Sequence, residues 1–172
     1  MQVEKLPFDF HEQLAIGQKG EKFFVKEYPH LLEALDGRAA DMRIIGPKNY
    51  GHTVELKTET YAATRGHPRC TGNMFVERFS NNRKQTNGGP WQAKANGTNE
   101  YWHHFPLDGV LYRALVIPFV DWLDEYVALH KVSLYPVDNE RYDTMGYRIP
   151  LMAVDKANIA IKRTDPKLIY PL

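Results

Sequence analysis

Cysteine is nearly absent: Cys70 stands alone among 172 residues. A single thiol excludes an internal disulfide framework and suits a reducing compartment. No apolar run approaches the ~20 residues a membrane helix requires. Met1-Gln2-Val3-Glu4-Lys5 has neither the basic start nor the apolar stretch of a secretory signal. The expectation is a cytoplasmic protein with no membrane partner, in which Asn96-Gly97-Thr98 matches a glycosylation site by chance. Internal repeats, low-complexity tracts and dividing linkers are also missing, so residues 1–172 read as one domain. The glycine-rich phosphate loop Gly-x-x-x-x-Gly-Lys is missing too, which counts against nucleotide-processing chemistry of that kind.

There is also little excess charge of either sign, only +1 over the chain. Its distribution is uneven. Lys57, Arg65, Arg69, Arg78, Arg83, Lys84 and Lys94 face only Glu59 and Glu77 within 57–94, a local balance of +5, whereas 105–145 carries −4. Phosphate contacts are local, so a basic segment matters more than a basic average. The alternative is a solvated loop.

Leu14, Gly17, Glu21, Phe24 and Tyr28 recur at steps of three and four and predict a helix over 8–28, stopped by Pro29. Gly17 and Gly20 would let this helix approach the sheet closely. Strands are predicted at 40–45 and 52–59, joined by a turn through Gly46-Pro47-Lys48-Asn49-Tyr50-Gly51, and again at 74–79, 100–105 and 112–117. Residues 81–90 read as an exposed loop, 91–96 as a helical turn and 120–130 as a helix. Residues 147–154 read as a late strand or tail, and Asp155 opens a final short element. This order predicts an α/β or α+β fold around a central mixed sheet.

The chemistry is concentrated in Asp41 and the run Val54-Glu55-Leu56-Lys57-Thr58, thirteen residues further on. Alternate residues of a strand share a face, so Glu55 and Lys57 point one way and Val54 and Leu56 the other. Antiparallel pairing of the first two strands would bring Asp41 toward Glu55. Two carboxylates so placed suit Mg²⁺, which takes one or two carboxylates with waters and phosphate oxygens. Lys57 is positioned to orient an attacking water or stabilise developing negative charge. Glu21 sits within an apolar stripe, where a carboxylate needs a partner such as a metal site or a lysine. The alternative is a stripe rotated so that Glu21 lies at its edge.

A helical Glu21, a strand Asp41 and then Glu55-x-Lys57 resemble the PD-(D/E)xK nuclease superfamily, with the order of elements over residues 10–120 in agreement. Ala40 stands where the proline that names the motif would be. The runs Phe75-Val76-Glu77-Arg78-Phe79-Ser80 and Gly88-Gly89-Pro90-Trp91-Gln92-Ala93 look like small phage or bacterial members, which implies a prokaryotic or phage-infected cell. The resemblance implies a restriction-endonuclease-like fold and a Mg²⁺-dependent DNA endonuclease, with Mn²⁺ able to substitute. Asp41, Glu55 and the Leu56 carbonyl would hold the metal, Lys57 would assist the water and Glu21 would be an accessory acid. Branched or junction DNA is the first expectation for substrate. A restriction enzyme, an exonuclease and an inactive nucleic-acid-binding module are the alternatives. Members of the resolvase and restriction kinds commonly act as dimers, so a homodimer is a further expectation.

Arg65, Arg69, Arg78, Arg83 and Lys84 are the candidate backbone contacts, joined by Gln92 and Lys94 after the Gly88-Gly89-Pro90 segment. Glu77 reads either as an outer acid of the site or as a surface partner of Arg78 or Arg83. Trp91 and Phe79 read as buried core or as a stacking platform for unpaired bases. His67 and Cys70 have the spacing to begin a zinc site, but no second pair follows, because His103 and His104 fall on opposite faces of a strand.

Overall fold

The computed structural model describes residues 10–36, 40–59, 71–138 and 143–169. A long helix, α1 (Phe10–Glu27), opens the described chain. It ends at Tyr28, where the following Pro29 disfavours the helical conformation. Three short strands follow: β1 (Leu32–Ala34), β2 (Met42–Ile44) and β3 (Thr53–Thr58). The chain then builds β4 (Asn73–Asn81), β5 (Thr86–Asn87) and α2 (Gly89–Ala95) before β6 (Glu100–Phe105) and β7 (Val110–Leu115). The helix α3 (Val116–His130), the hairpin β8 (Tyr135–Asp138) and β9 (Asp143–Pro150), α4 (Leu151–Ala157) and β10 (Ile161–Thr164) complete it.

The fold is α/β. A six-stranded mixed sheet has the order β1-β2-β3-β6-β7-β10, and a four-stranded antiparallel sheet has the order β5-β4-β9-β8. In the larger sheet only β3 and β6 run parallel. A parallel pair needs a long crossover, and here β4, β5 and α2 supply it, placing them over the face that carries Glu55 and Lys57.

Helices cover the central sheet, so β6 is buried at all six positions although its sequence is Glu-Tyr-Trp-His-His-Phe. On one face Val54, Leu56 and Trp102 pack under α1 with Phe24 and Leu168. The Phe24 ring meets Trp102 and His104 edge-on at 5.8 and 5.0 Å, and burial of such a ring contributes about 2–3 kcal/mol. On the other face Tyr101 and Phe105 join Met74, Val76, Trp91, Phe119 and Leu123. The polar members of β6 each find partners. Glu100 accepts from Trp102 Nε1 at 2.7 Å, Asn49 Nδ2 at 2.8 Å and Arg113 Nη2 at 2.9 Å, and lies 3.1 Å from His52 Nδ1. These contacts tie the 46–51 turn to the sheet. His104 Nε2 donates to the Leu168 carbonyl at 2.8 Å.

Four expectations need correction. Residues 81–90 are not simply an exposed loop: they form a tight turn and β5, and Gly88 and Pro90 are buried. Residues 147–154 are not one strand, because Pro150 ends β9 and α4 begins at Leu151. Asp155 therefore lies inside α4 rather than opening an element. A Cβ added at Gly17 would meet nothing within 4 Å, so this glycine faces open space instead of bringing α1 onto the sheet. Among the described residues no helix is long and apolar enough to cross a membrane.

Candidate functional site: an acidic cavity beyond the end of a short strand

The β2 strand is only three residues long, and its brevity makes the site. The ladder with β3 ends as the Asp41 N–H donates to the Val54 carbonyl at 2.9 Å. One step further along β3, no strand remains on that side. The Leu56 N–H is met instead by the Asp41 carboxylate, 2.7 Å away at Oδ2. In an extended strand the N–H and C=O of one residue leave toward the same edge, so the Leu56 carbonyl faces this opening too.

A cavity of about 240 Å³ occupies the opening. Gly17 and Glu21 of α1, Asp41, Glu55, Leu56 and Lys57 of β3, Glu77 of β4, Gly89 and Tyr101 of β6 all line it. The structure thus brings Glu21, Asp41, Glu55 and Lys57 to one place, and adds Glu77 and Tyr101. Glu77 does not pair with its basic neighbours: Arg78 turns to Asn87 Oδ1 at 2.6 Å. The register of β4 slips between Glu77 and Phe79, a bulge that bends the strand where it meets the cavity. The Glu77 side chain lies against the Gly88-Gly89 pair. A Cβ at Gly88 would run into its carboxylate, and one at Gly89, which has φ +45°, would sit 2.9 Å from the Glu77 carbonyl oxygen.

Crowding of acids has an electrostatic consequence. Burial, then repulsion from Asp41 and Glu21, pushes Glu55 up to about 8, with Lys57 opposing. Burial and then Asp41 push Glu21 up to about 7, with Lys22 opposing. Burial also raises Asp41, against the pull of the Leu56 N–H. Among the described residues no cation lies within ion-pair distance of these three carboxylates. Carboxyls crowded in this way either stay protonated or take up a cation.

The donor set is all oxygen, the chemistry that suits Mg²⁺ or Mn²⁺. Among the described residues no three His, Cys, Asp or Glu side chains converge closely enough to hold an ion unaided. An ion here would draw on Asp41, Glu55 and the Leu56 carbonyl and complete its shell with water, as Mg²⁺ commonly does.

The remaining candidates are scattered. Arg83 and Lys84 lie exposed in the turn before β5. Arg78 stacks on Phe79 and Trp91, with its guanidinium carbon 4.5 and 5.0 Å from the ring centres. Gln92 donates to Asn96 Oδ1 at 2.8 Å, and Lys94 pairs with Asp121 of α3 at 2.8 Å; neither lines the cavity. Trp91 is buried and donates its indole N–H to Asp124 at 3.0 Å, so it is core and not an exposed stacking platform. Arg65, Arg69, His67 and Cys70 lie outside the described residues. Sequence reading placed Tyr101 in a strand but not in the site. Its signal is register: it pairs with Glu55 only because β3 and β6 run parallel. Comparison with known proteins gives no matching family model, no matching curated protein and no matching solved structure.

Proposed function

We propose that the chain is a metal-dependent nuclease of PD-(D/E)xK type that hydrolyses DNA phosphodiester bonds as an endonuclease. The observation that carries this reading is the convergence of Glu21, Asp41, Glu55 and Lys57 on one 240 Å³ cavity, with the Leu56 backbone turned to the same opening. A divalent ion bound there would lower the pKa of a water and offset charge on the phosphate. The Leu56 N–H fixes the Asp41 carboxylate by holding one oxygen and leaving the other for a cation. Strand alternation holds Glu55 and Lys57 side by side, so the lysine can position the attacking water and stabilise charge as the phosphorane forms. Glu21 closes the cavity from the α1 side.

DNA is favoured as substrate by the basic balance of residues 57–94, of which Arg83 and Lys84 are exposed and free to meet phosphate. Branched or junction DNA is the substrate class proposed first. The test is Lys57→Ala, measured for both cleavage and binding. Cleavage should fall by at least about a hundredfold while DNA affinity persists. Normal turnover by the variant would contradict the role assigned to Lys57.

A further inference from the structure

Tyr101 lies opposite Glu55 in the parallel β3–β6 register, is only 2% exposed and lines the acidic cavity. Behind it runs a chain of polar groups. Its hydroxyl is 3.4 Å from His103 Nδ1, and His103 Nε2 is 3.3 Å from Glu59 Oε2. Both rings are clamped, Tyr101 against Phe119 at 5.7 Å and His103 against Phe105 at 5.0 Å.

The hydrogens in this chain can be placed by elimination. Glu59 Oε2 also receives the Phe75 N–H at 3.4 Å, so it serves as an acceptor. Burial holds the His103 pKa below its ordinary value despite the Glu59 bond. A neutral imidazole carries one N–H, and the Glu59 contact requires it on Nε2. Nδ1 is then an acceptor, and only the Tyr101 O–H can supply its hydrogen. The phenol hydrogen therefore points toward His103, and Tyr101, which lines the cavity, presents an oxygen with lone pairs alone.

We propose, resting on the nuclease reading above, that Tyr101 is a further catalytic residue whose oxygen accepts a hydrogen of the attacking water, with His103 and Glu59 as its positioning residues. Held through one hydrogen, the water keeps a lone pair free for phosphorus. As the new P–O bond forms, the P–O bond to the leaving strand end breaks. The water's other proton passes to solvent, the departing alkoxide takes one from solvent, and Tyr101 keeps its own.

Two readouts test this. In the metal-free full chain at pH 8, ¹⁵N spectra should show His103 with Nε2 protonated and Nδ1 bare, the signal being assigned by its loss in His103→Asn. In cleavage assays Tyr101→Phe should lower kcat about tenfold, the worth of one hydrogen bond, with KM and DNA affinity unchanged. His103→Leu should show the same loss and add nothing to Tyr101→Phe, whereas His103→Asn, which keeps an acceptor near the Nδ1 position, should restore most of it. A His103 protonated on Nδ1, or a Tyr101→Phe variant with normal kcat, would overturn the proposal and leave the nuclease reading standing. A wild-type protein that cuts no DNA would overturn both.

Discussion

Asp41 accepts the Leu56 N–H at 2.7 Å, so a side chain takes the place of the strand that β2 is too short to provide. The same contact that completes the backbone pairing of β3 also fixes a carboxylate beside Glu55. Structure and chemistry are separable at this residue, because an amide oxygen can accept the bond without carrying the charge.

Asp41→Asn should therefore fold about as well as the wild type and fail to cleave DNA. Asp41→Ala should also fail to cleave and should be less stable than the asparagine variant by about 1–2 kcal/mol, since it leaves the Leu56 N–H without a partner. Urea denaturation of the two variants side by side measures the difference. Equal midpoints would mean that the Leu56 bond contributes nothing.

The raised carboxylates set the pH dependence of the metal-free protein. Glu55 titrates near 8 and Glu21 near 7, both from an ordinary value of 4.5. A carboxyl whose folded pKa is raised gives its full stabilisation below the unfolded value and loses it as pH climbs through the folded one. Without metal the protein should thus weaken between about pH 5 and pH 8, by roughly 2 kcal/mol once partial exposure of the site is allowed for. Glu55→Gln should flatten that decline and be more stable than the wild type at pH 8. A wild-type stability that rises across this interval would contradict the electrostatic picture.

Metal should reverse the same effect. Mg²⁺ or Mn²⁺ at a hundredfold excess over its Kd should stabilise the fold by about 2.7 kcal/mol, more strongly at pH 8 than at pH 6 because the ligands must give up protons first. Thermal melts with and without EDTA test it. Glu55→Gln should lose most of the shift, and an equal shift in that variant would place the ion elsewhere.

Glu100 provides the opposite case, a buried carboxylate with partners. Hydrogen bonds from Trp102 and Arg113, with the Arg113 charge and Asn49, hold its pKa below the ordinary value against burial. Glu100→Gln should cost about 2–3 kcal/mol, because the Arg113 ion pair and part of the turn anchorage are lost. It does not line the cavity, so cleavage at a permissive temperature should persist. Calorimetry paired with a cleavage assay separates the two effects.

These contrasts show what the sequence could reveal. Period-two alternation made Glu55 and Lys57 legible as one face of a strand, and Pro29 marked the end of α1. The mixed sheet followed from the order of elements. The three-residue β1 is too short to show a pattern, and β10, exposed at all four positions, has no buried face to betray it. The apolar run Leu151-Met152-Ala153-Val154 looked like a strand's continuation, and only Pro150 hinted that a helix begins there. Pairings across long separations were hidden: Lys94 is held by Asp121, twenty-seven residues on, and Tyr101 enters the cavity only through the parallel register. Gly17 seemed to call for close packing, but the space beside it is the cavity itself.

The most direct test of the account is cleavage of linear duplex, single-stranded and four-way-junction DNA, with Mg²⁺, with Mn²⁺ and with EDTA, by the wild type and by Glu55→Ala. Metal-dependent cutting that EDTA and Glu55→Ala both abolish is expected, with branched DNA the preferred substrate. Tight metal-independent binding with no cutting of any of the three would contradict it and leave a nucleic-acid-binding module in its place.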